Sequence, residues 1–295
     1  MFNHLFPHTH SFKSSTPYIY HYLVFVVKES PLKAPNYKII IPARMKSTRL
    51  PGKPLALICD QPMIWHVYQR ALETNIGQDN IVIATDSEQI CEVARGFGAQ
   101  VLMTSDSHSS GTERCAEVVS LLDWHDDEIV VNLQGDEPLV TADLIKLTAS
   151  TLASSSAAGM ATLACAIKSQ SELVDPNYVK LVTDINRKAM LFSRQPMPAS
   201  ITANADEEAC IGGDFGPWLR HIGMYSYRVE TLKILSALPE TELEKYERLE
   251  QLRAMWHGIH IQVACVDDAP GHGVDTPADL QRVRAIVKAN ASVCA

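Results

Sequence analysis

The sequence predicts an α/β fold with a mostly parallel central sheet and helices on both faces. Three observations lead there. Short, wholly apolar runs recur at residues 39–41, 81–84 and 129–131, as in strands buried on both faces. Segments with apolar residues on one helical face alternate with them. The 295 residues are 46% apolar and 20% charged, an ordinary balance that leaves room for a substantial core.

Residues 1 to about 36 stand apart, being rich in His, Ser, Pro and aromatics. Their one apolar stretch, Tyr18 to Val27, has no lysine cluster before it and no small-residue cleavage site after it. The segment reads either as a dispensable leader or as an extra or targeting element. The regular fold is expected from about 37 to 290. Strand 39–41 runs into a polar loop from Pro42 to Pro54. A helix opens near Pro62, with Ile64, Val67, Tyr68, Ala71 and Leu72 on one face. Strand 81–84, a helix over 87–97 and strand 101–103 follow. Thr112 is a candidate cap for a helix running to about Leu122. Strand 129–131 ends in Asn-Leu-Gln-Gly-Asp at 132–136. A helix from about Thr141 and a strand over 160–167 come next. Beyond them, 179–183 and 189–192 pair as a hairpin around Asn186, 196–217 forms a long loop, and 224–227 is a strand. Residues 241–256 are expected as one helix carrying Leu243, Tyr246, Leu249, Leu252 and Met255. After strand 261–266, Thr276, Pro277 and Asp279 supply an N-cap, a first-turn proline and an N3 carboxylate for a helix to about Lys288.

Composition excludes several classes of function. Lys plus Arg number 26 and Asp plus Glu 34, a net charge of −8. A general nucleic-acid or anionic-membrane surface is thereby disfavoured, while a local basic pocket for phosphates is allowed. No apolar run reaches the roughly 18–20 residues of a membrane helix, so no stable membrane association is expected. Cys59, Cys91, Cys115, Cys165, Cys210, Cys265 and Cys294 include no C-x-x-C pair. That pattern argues for a reducing compartment rather than a disulfide framework.

Ligands of such sheets bind beyond the carboxyl ends of the strands, where Arg44, Asp86, Gln134 and Asp136 fall. The loop after the first strand carries Arg44, Lys46, Arg49 and Lys53, four cations in ten residues of an acidic protein. It reads as a polyphosphate cradle or as a solvated basic loop. It is neither the G-x-x-x-x-G-K-[ST] loop nor G-x-G-x-x-G. Asp136 ends a buried strand and suits a hard cation. Asp275 either caps the last helix or joins Asp136, a choice the spacing leaves open. Hydroxyls and N–H groups at 108–112 are placed to read a base or a ribose.

Nine ordered segments narrow the reading. They are I-P-A-R-x-x-S-T-R-L-P-G-K-P-L at 41–55, A-T-D at 84–86 and H-x-S-G-T-E-R at 108–114. Next come V-N-L-Q-G-D-E-P at 131–138, M-A-T-L-A at 160–164 and F-S-R at 192–194. R-H-x-G-x-Y-x-Y at 220–227, L-E-Q-L-R at 249–253 and G-V-D-T-P at 273–277 complete them. Together they resemble the 3-deoxy-manno-octulosonate (Kdo) cytidylyltransferases, over residues from about 38 to 287.

The resemblance implies a Rossmann-like nucleotidyltransferase fold, with a sugar-binding and dimerisation subdomain inserted at about 190–240. It implies transfer of CMP from CTP to the anomeric hydroxyl of Kdo, for lipopolysaccharide biosynthesis in the cytoplasm of a Gram-negative cell, by a homodimer. Mg²⁺ would sit on Asp136 and Asp275, and Arg44 and Lys53 would act with them on the leaving pyrophosphate. Lys46 and Arg49 are weaker candidates for the same task. The nucleotide would meet Pro42, Ala43, Arg44, Lys53, Thr85, Asp86, His108, Ser110, Gly111, Thr112 and Gln134. The sugar would meet Arg194, His221, Tyr225, Glu250 and Gln251. After F-S-R the family's I-P-W-D-R-D-like segment is replaced by Gln195-Pro196-Met197-Pro198-Ala199-Ser200-Ile201. A related sugar acid, sialate or an amino-substituted Kdo, is therefore kept as an alternative substrate. A non-catalytic nucleotide-binding regulator is the alternative of another class.

Overall fold

The structure is a computed structural model that describes residues 35–197, 215, 217–271 and 273–293. Most of the 1–36 segment, most of the 196–217 loop, Cys210 and Cys294 lie outside the described residues.

In chain order, β1 (Tyr37–Ala43) leads to a short ribbon of β2 (Leu57–Ile58) and β3 (Gln61–Pro62), then α1 (Met63–Leu72). Next come β4 (Ile81–Thr85), α2 (Glu88–Gly96), β5 (Gln100–Met103), α3 (Gly111–Leu121), β6 (Ile129–Asn132), α4 (Ala142–Ala153) and β7 (Met160–Ala166). The rest comprises α5 (Gln170–Val174), β8 (Lys180–Thr183), β9 (Ala189–Ser193), β10 (Leu219–Arg228), α6 (Val229–Ala237), α7 (Glu242–Glu247), α8 (Gln251–Trp256), β11 (Ile261–Val266) and α9 (Pro277–Val293).

The main sheet runs β11-β7-β10-β6-β1-β4-β5, and β8 and β9 extend it from β10. Along that path only the two ladders of β10 are antiparallel. The run at 39–41 behaves as its composition requires. Ile39 and Ile41 face a core shared with α1, α2 and α4, and Ile40 faces a second core shared with α3, α6 and α8. Both faces are thus covered, as a parallel sheet demands. Among the described residues no helix is long and apolar enough to cross a membrane.

Four local readings are corrected. Ser110, not Thr112, caps α3, its hydroxyl accepting the Glu113 N–H. Ser110 has the extended backbone of a cap, and Thr112 already lies inside the first turn. The helix expected over 241–256 is two helices. Arg248 between them has a φ of 54°, a left-handed conformation that stops α7. This turn buries Leu249 and leaves Tyr246 89% exposed, so the apolar residues do not share one face. The strand expected at 224–227 begins at Leu219, with a bulge between Ile222 and Tyr225. The last helix continues past Lys288. Within the segment expected as an inserted subdomain, β10 lies between β6 and β7 and α6 packs against the sheet. Residues 198–214 and 216 of that segment lie outside the described residues.

Candidate active site

The basic loop leaves the carboxyl end of β1 and is turned inward by Gly52, whose φ of 68° suits a residue without Cβ. Lys53 follows, its side chain only 14% exposed. Its ammonium donates to Asp136 Oδ2 at 2.5 Å and to Asp275 Oδ1 at 3.2 Å. Arg49 reaches Asp275 Oδ2 at 3.1 Å. Burial works against the Lys53 charge, and the two carboxylates outweigh it and hold the amine above its ordinary pKa. The choice left open for Asp275 is resolved by its neighbours. Asp279 accepts from the N–H groups of Asp275 and Thr276 and from the Thr276 hydroxyl, while Asp279 N–H donates to Thr276 Oγ1. Thr276 and Asp279 cap α9 between them, which frees the Asp275 side chain for the cleft. The Val274 N–H donates to Asp136 O at 2.8 Å and locks the two loops together.

The carboxylates of Asp136 and Asp275 therefore converge on one point, filled by a cation. No group of three or more His, Cys, Asp and Glu side chains converges on a metal position among the described residues. Two carboxylates are nevertheless the usual protein share of a Mg²⁺ site, the rest being water and phosphate oxygens. Glu137, which the sequence reading missed, lies beside them. Burial and the two neighbouring carboxylates push its pKa up to about 8, with Lys53 pulling the other way.

Across the cleft, α3 approaches β1 and β6. A Cβ on Gly111 would meet Gln134 at 3.1 Å and the Pro42 ring at 3.2 Å, and one on Gly135 would meet Pro42 O at 2.8 Å. Gly135→Ala is expected to force these loops apart. It should cost about 1–3 kcal/mol in thermal melts and at least roughly tenfold in kcat/KM, since misplacement by an ångström is costly to positioned reactants. The 108–112 loop is fixed by His108 on Glu117, Ser109 on Glu113 and the Arg44 guanidinium on Ser109 O. The resulting cleft of about 560 Å³ is lined by Pro42, Ala43, Arg44, Lys53, His108, Ser110, Gly111, Gln134, Asp136 and Asp275.

Three predicted nucleotide residues, Thr85, Asp86 and Thr112, lie outside that lining. Thr85 Oγ1 accepts from Ser87 N–H, and Asp86 is paired at 3.0 Å with the buried Arg114. Arg114 also donates to Thr104 Oγ1 and Ser105 O and lines the cleft. It ties the ends of β4 and β5 to α3. Its place in the segment at 108–114 was visible in the sequence, but no local pattern announces a buried arginine.

Of the residues expected to meet the sugar, Tyr225, Glu250 and Gln251 line an adjoining cleft with Thr112, Asn132, Gln134 and Arg253. His221 lines a further cleft with Asn132, Gln134, Glu137, Tyr178 and Arg220. Gln134 lines all three and is oriented by donating to Asn132 Oδ1 at 3.1 Å. Gln251 Nε2 is buried without a partner among the described residues, as suits a group awaiting a ligand. Arg194 lines none of these clefts. Its guanidinium donates to the carbonyls of Glu247, Pro176 and Arg248, so it fastens the end of α7.

His221 is held by the bulge. Thr162 Oγ1 lies 3.0 Å from His221 Nε2 and within 3.1 Å of the carbonyls of Ile222 and Met224, so one hydroxyl ties the imidazole ring to the bulge. Burial lowers the imidazole pKa to about 3. The folded value lies below the unfolded one, near 6.5. This contribution to stability is thus full above about pH 6.5 and is lost as the pH falls toward 3. Thermal melts between pH 4 and 8 should show that decline, and His221→Asn should flatten it.

The sequence profile of the family described as Cytidylyltransferase matches residues 38–261. A relative in Aliivibrio fischeri (strain ATCC 700601 / ES114), named 3-deoxy-manno-octulosonate cytidylyltransferase, is 48% identical over 252 residues. That alignment covers 85% of this chain and 99% of the relative. The chain belongs to the Kdo cytidylyltransferase family. A family member of the same name in Halorhodospira halophila is 46% identical over 254 residues, 85% of this chain and 97% of its own. Among solved structures, a CMP:2-keto-3-deoxy-manno-octonic acid synthetase complexed with CTP is 39% identical, with a TM-score of 0.76. It covers 86% of this chain and 99% of its own. A cytidylyltransferase from Leptospira borgpetersenii is 16% identical, with a TM-score of 0.53 over 88% of this chain and 96% of its own, and shares the fold.

Proposed function

We propose that this Kdo cytidylyltransferase family member transfers CMP from CTP to the anomeric hydroxyl of Kdo, giving CMP-Kdo and pyrophosphate. The observation that carries the reading is the convergence of Asp136 and Asp275 on Lys53, at the mouth of the loop that begins at Pro42. Relatives covered almost end to end are named for the same reaction.

The residues divide the work. Loop 42–54 receives the triphosphate, with Arg44 and Lys53 stabilising charge on the departing pyrophosphate. Asp136 and Asp275 would hold Mg²⁺, which when bound neutralises phosphate charge and favours in-line displacement. Ser110, Gly111 and Thr112 hold the cytosine at the start of α3, with His108 near the ribose. Gln134 stands where the nucleotide and sugar clefts meet, and His221, Tyr225, Glu250 and Gln251 receive the sugar hydroxyls and carboxylate. The sugar hydroxyl attacks the α-phosphorus directly, with no covalent intermediate. The same reading puts the product on the way to lipopolysaccharide, in a cytoplasmic homodimer.

The test is pyrophosphate release from CTP, Mg²⁺ and Kdo, beside ATP, GTP and UTP and beside sialate and amino-substituted Kdo. Release confined to CTP with Kdo is the expected result. Release with CTP and another sugar would retain the nucleotide half and point to residues 195–217. No release from any pair, with or without residues 1–36, would overturn the enzymatic reading.

A further inference from the structure

Glu250 stands at the joint between the two substrate sides. It immediately precedes α8 and lines the cleft on the sugar side. Its carboxylate nevertheless reaches the base side, where Ser110 Oγ donates to Glu250 Oε1 at 2.9 Å across 140 residues of sequence. Thr112 also hydrogen-bonds the carboxylate. The Ser110 hydroxyl has a second duty, since it accepts the Glu113 N–H at 3.2 Å as the N-cap of α3. One hydroxyl thus fixes both the helix that carries the base loop and the residue that opens the sugar-side helix. The carboxylate sits at the amino end of α3, where the helix dipole favours negative charge.

We propose that the Glu250–Ser110 hydrogen bond couples the two substrate sites, so that a nucleoside on the base loop tightens binding of the sugar acid and the reverse. The inference rests on the assignment of the two sides under the proposed function. A base seated on 108–112 holds the Ser110 hydroxyl in place, and that hydroxyl holds Glu250 and the start of α8. The ordering cost then falls on the first ligand only, and the second binds a prepared wall. Linkage makes the effect reciprocal.

The experiment is calorimetric titration of the full chain with Kdo, with and without saturating cytidine, which has no phosphate to transfer. Cytidine is expected to tighten Kdo binding about fivefold or more. Ser110→Asp keeps a capping oxygen but sets a second carboxylate against Glu250, and the ratio of the two Kdo affinities should fall to one. Glu250→Ala should do the same. Glu250→Gln, whose amide oxygen still accepts from Ser110, should keep most of the ratio. Any direct contact between Glu250 and the sugar cancels, because each ratio is taken within one variant. A ratio of one in the unaltered protein overturns the proposal, as does an undiminished ratio in both Ser110→Asp and Glu250→Ala. Pyrophosphate release from CTP and Kdo on the same preparation separates the two readings. Absence of release defeats the proposed function, whereas release with a ratio of one defeats the coupling alone.

Discussion

Replacing Asp136 or Asp275 by alanine is expected to lower kcat/KM by on the order of 10²–10³-fold, the loss typical of a preorganised electrostatic group at the reacting centre. Both carboxylates meet one ammonium, within 3.2 Å, at the end of the basic loop. With one removed, Lys53 faces a single carboxylate, and a Mg²⁺ ion held as proposed would lose half of its protein ligands. Stability should change little, within about 0.5 kcal/mol, because both side chains sit partly exposed on loops away from the core. The decisive measurement is the double variant. Residues that act as a unit are strongly non-additive, so removing both carboxylates should cost scarcely more than removing one. The Mg²⁺ concentration for half-maximal rate should rise in each single variant. If Asp275→Ala retains near-normal turnover at ordinary Mg²⁺, the shared role of the pair is wrong and Asp275 serves only the α9 entrance.

The strand frame was legible because it rests on local apolar density. Ile39, Ile40 and Ile41 can all be buried only if both faces of β1 are covered, and that places β1 inside a parallel sheet. The N-cap at Thr276 was legible too, since cap, proline and carboxylate fall within four residues. The break at Arg248 was not. Leu243, Tyr246, Leu249, Leu252 and Met255 fit a helical period, but the chain turns through a left-handed residue tied down by Arg194, 54 positions earlier. The site divides in the same way. Spacing placed Arg44, Gln134 and Asp136 at strand ends, and the structure gathers them. Spacing could not reveal that Asp86 is taken by Arg114 or that Arg194 is taken by backbone carbonyls. Those pairings are long-range, and the residue types alone suit a ligand equally well.

Arg253→Met is expected to give the largest loss of stability, about 3–5 kcal/mol, the range for breaking a buried ion pair by removing one partner. Arg253 and Glu244 are each 6% exposed. The guanidinium grips both carboxylate oxygens, from Nε at 2.8 Å and from Nη2 at 2.6 Å. Glu244 is also the reciprocal half of the capping box with Thr241 that opens α7, and Nη1 reaches Leu238 O at 3.3 Å beyond the end of α6. One side chain thus pins three helices, and methionine would fill the space while leaving a buried carboxylate uncompensated. At about 2–4 °C per kcal/mol for a large domain, the melting midpoint should fall by roughly 10 °C. Adding Glu244→Gln should recover part of it, because replacing both members of a buried pair is far less damaging than removing one. The KM for the sugar should rise more than that for CTP, since α8 carries Gln251 and follows Glu250. Recovery in the double variant without recovery of the sugar KM would show that the pair sets the position of the sugar wall as well as its stability. An unchanged melting midpoint in Arg253→Met would mean that the three helices are held by apolar packing, with Leu249 and Leu252 sufficient to keep α8 in place.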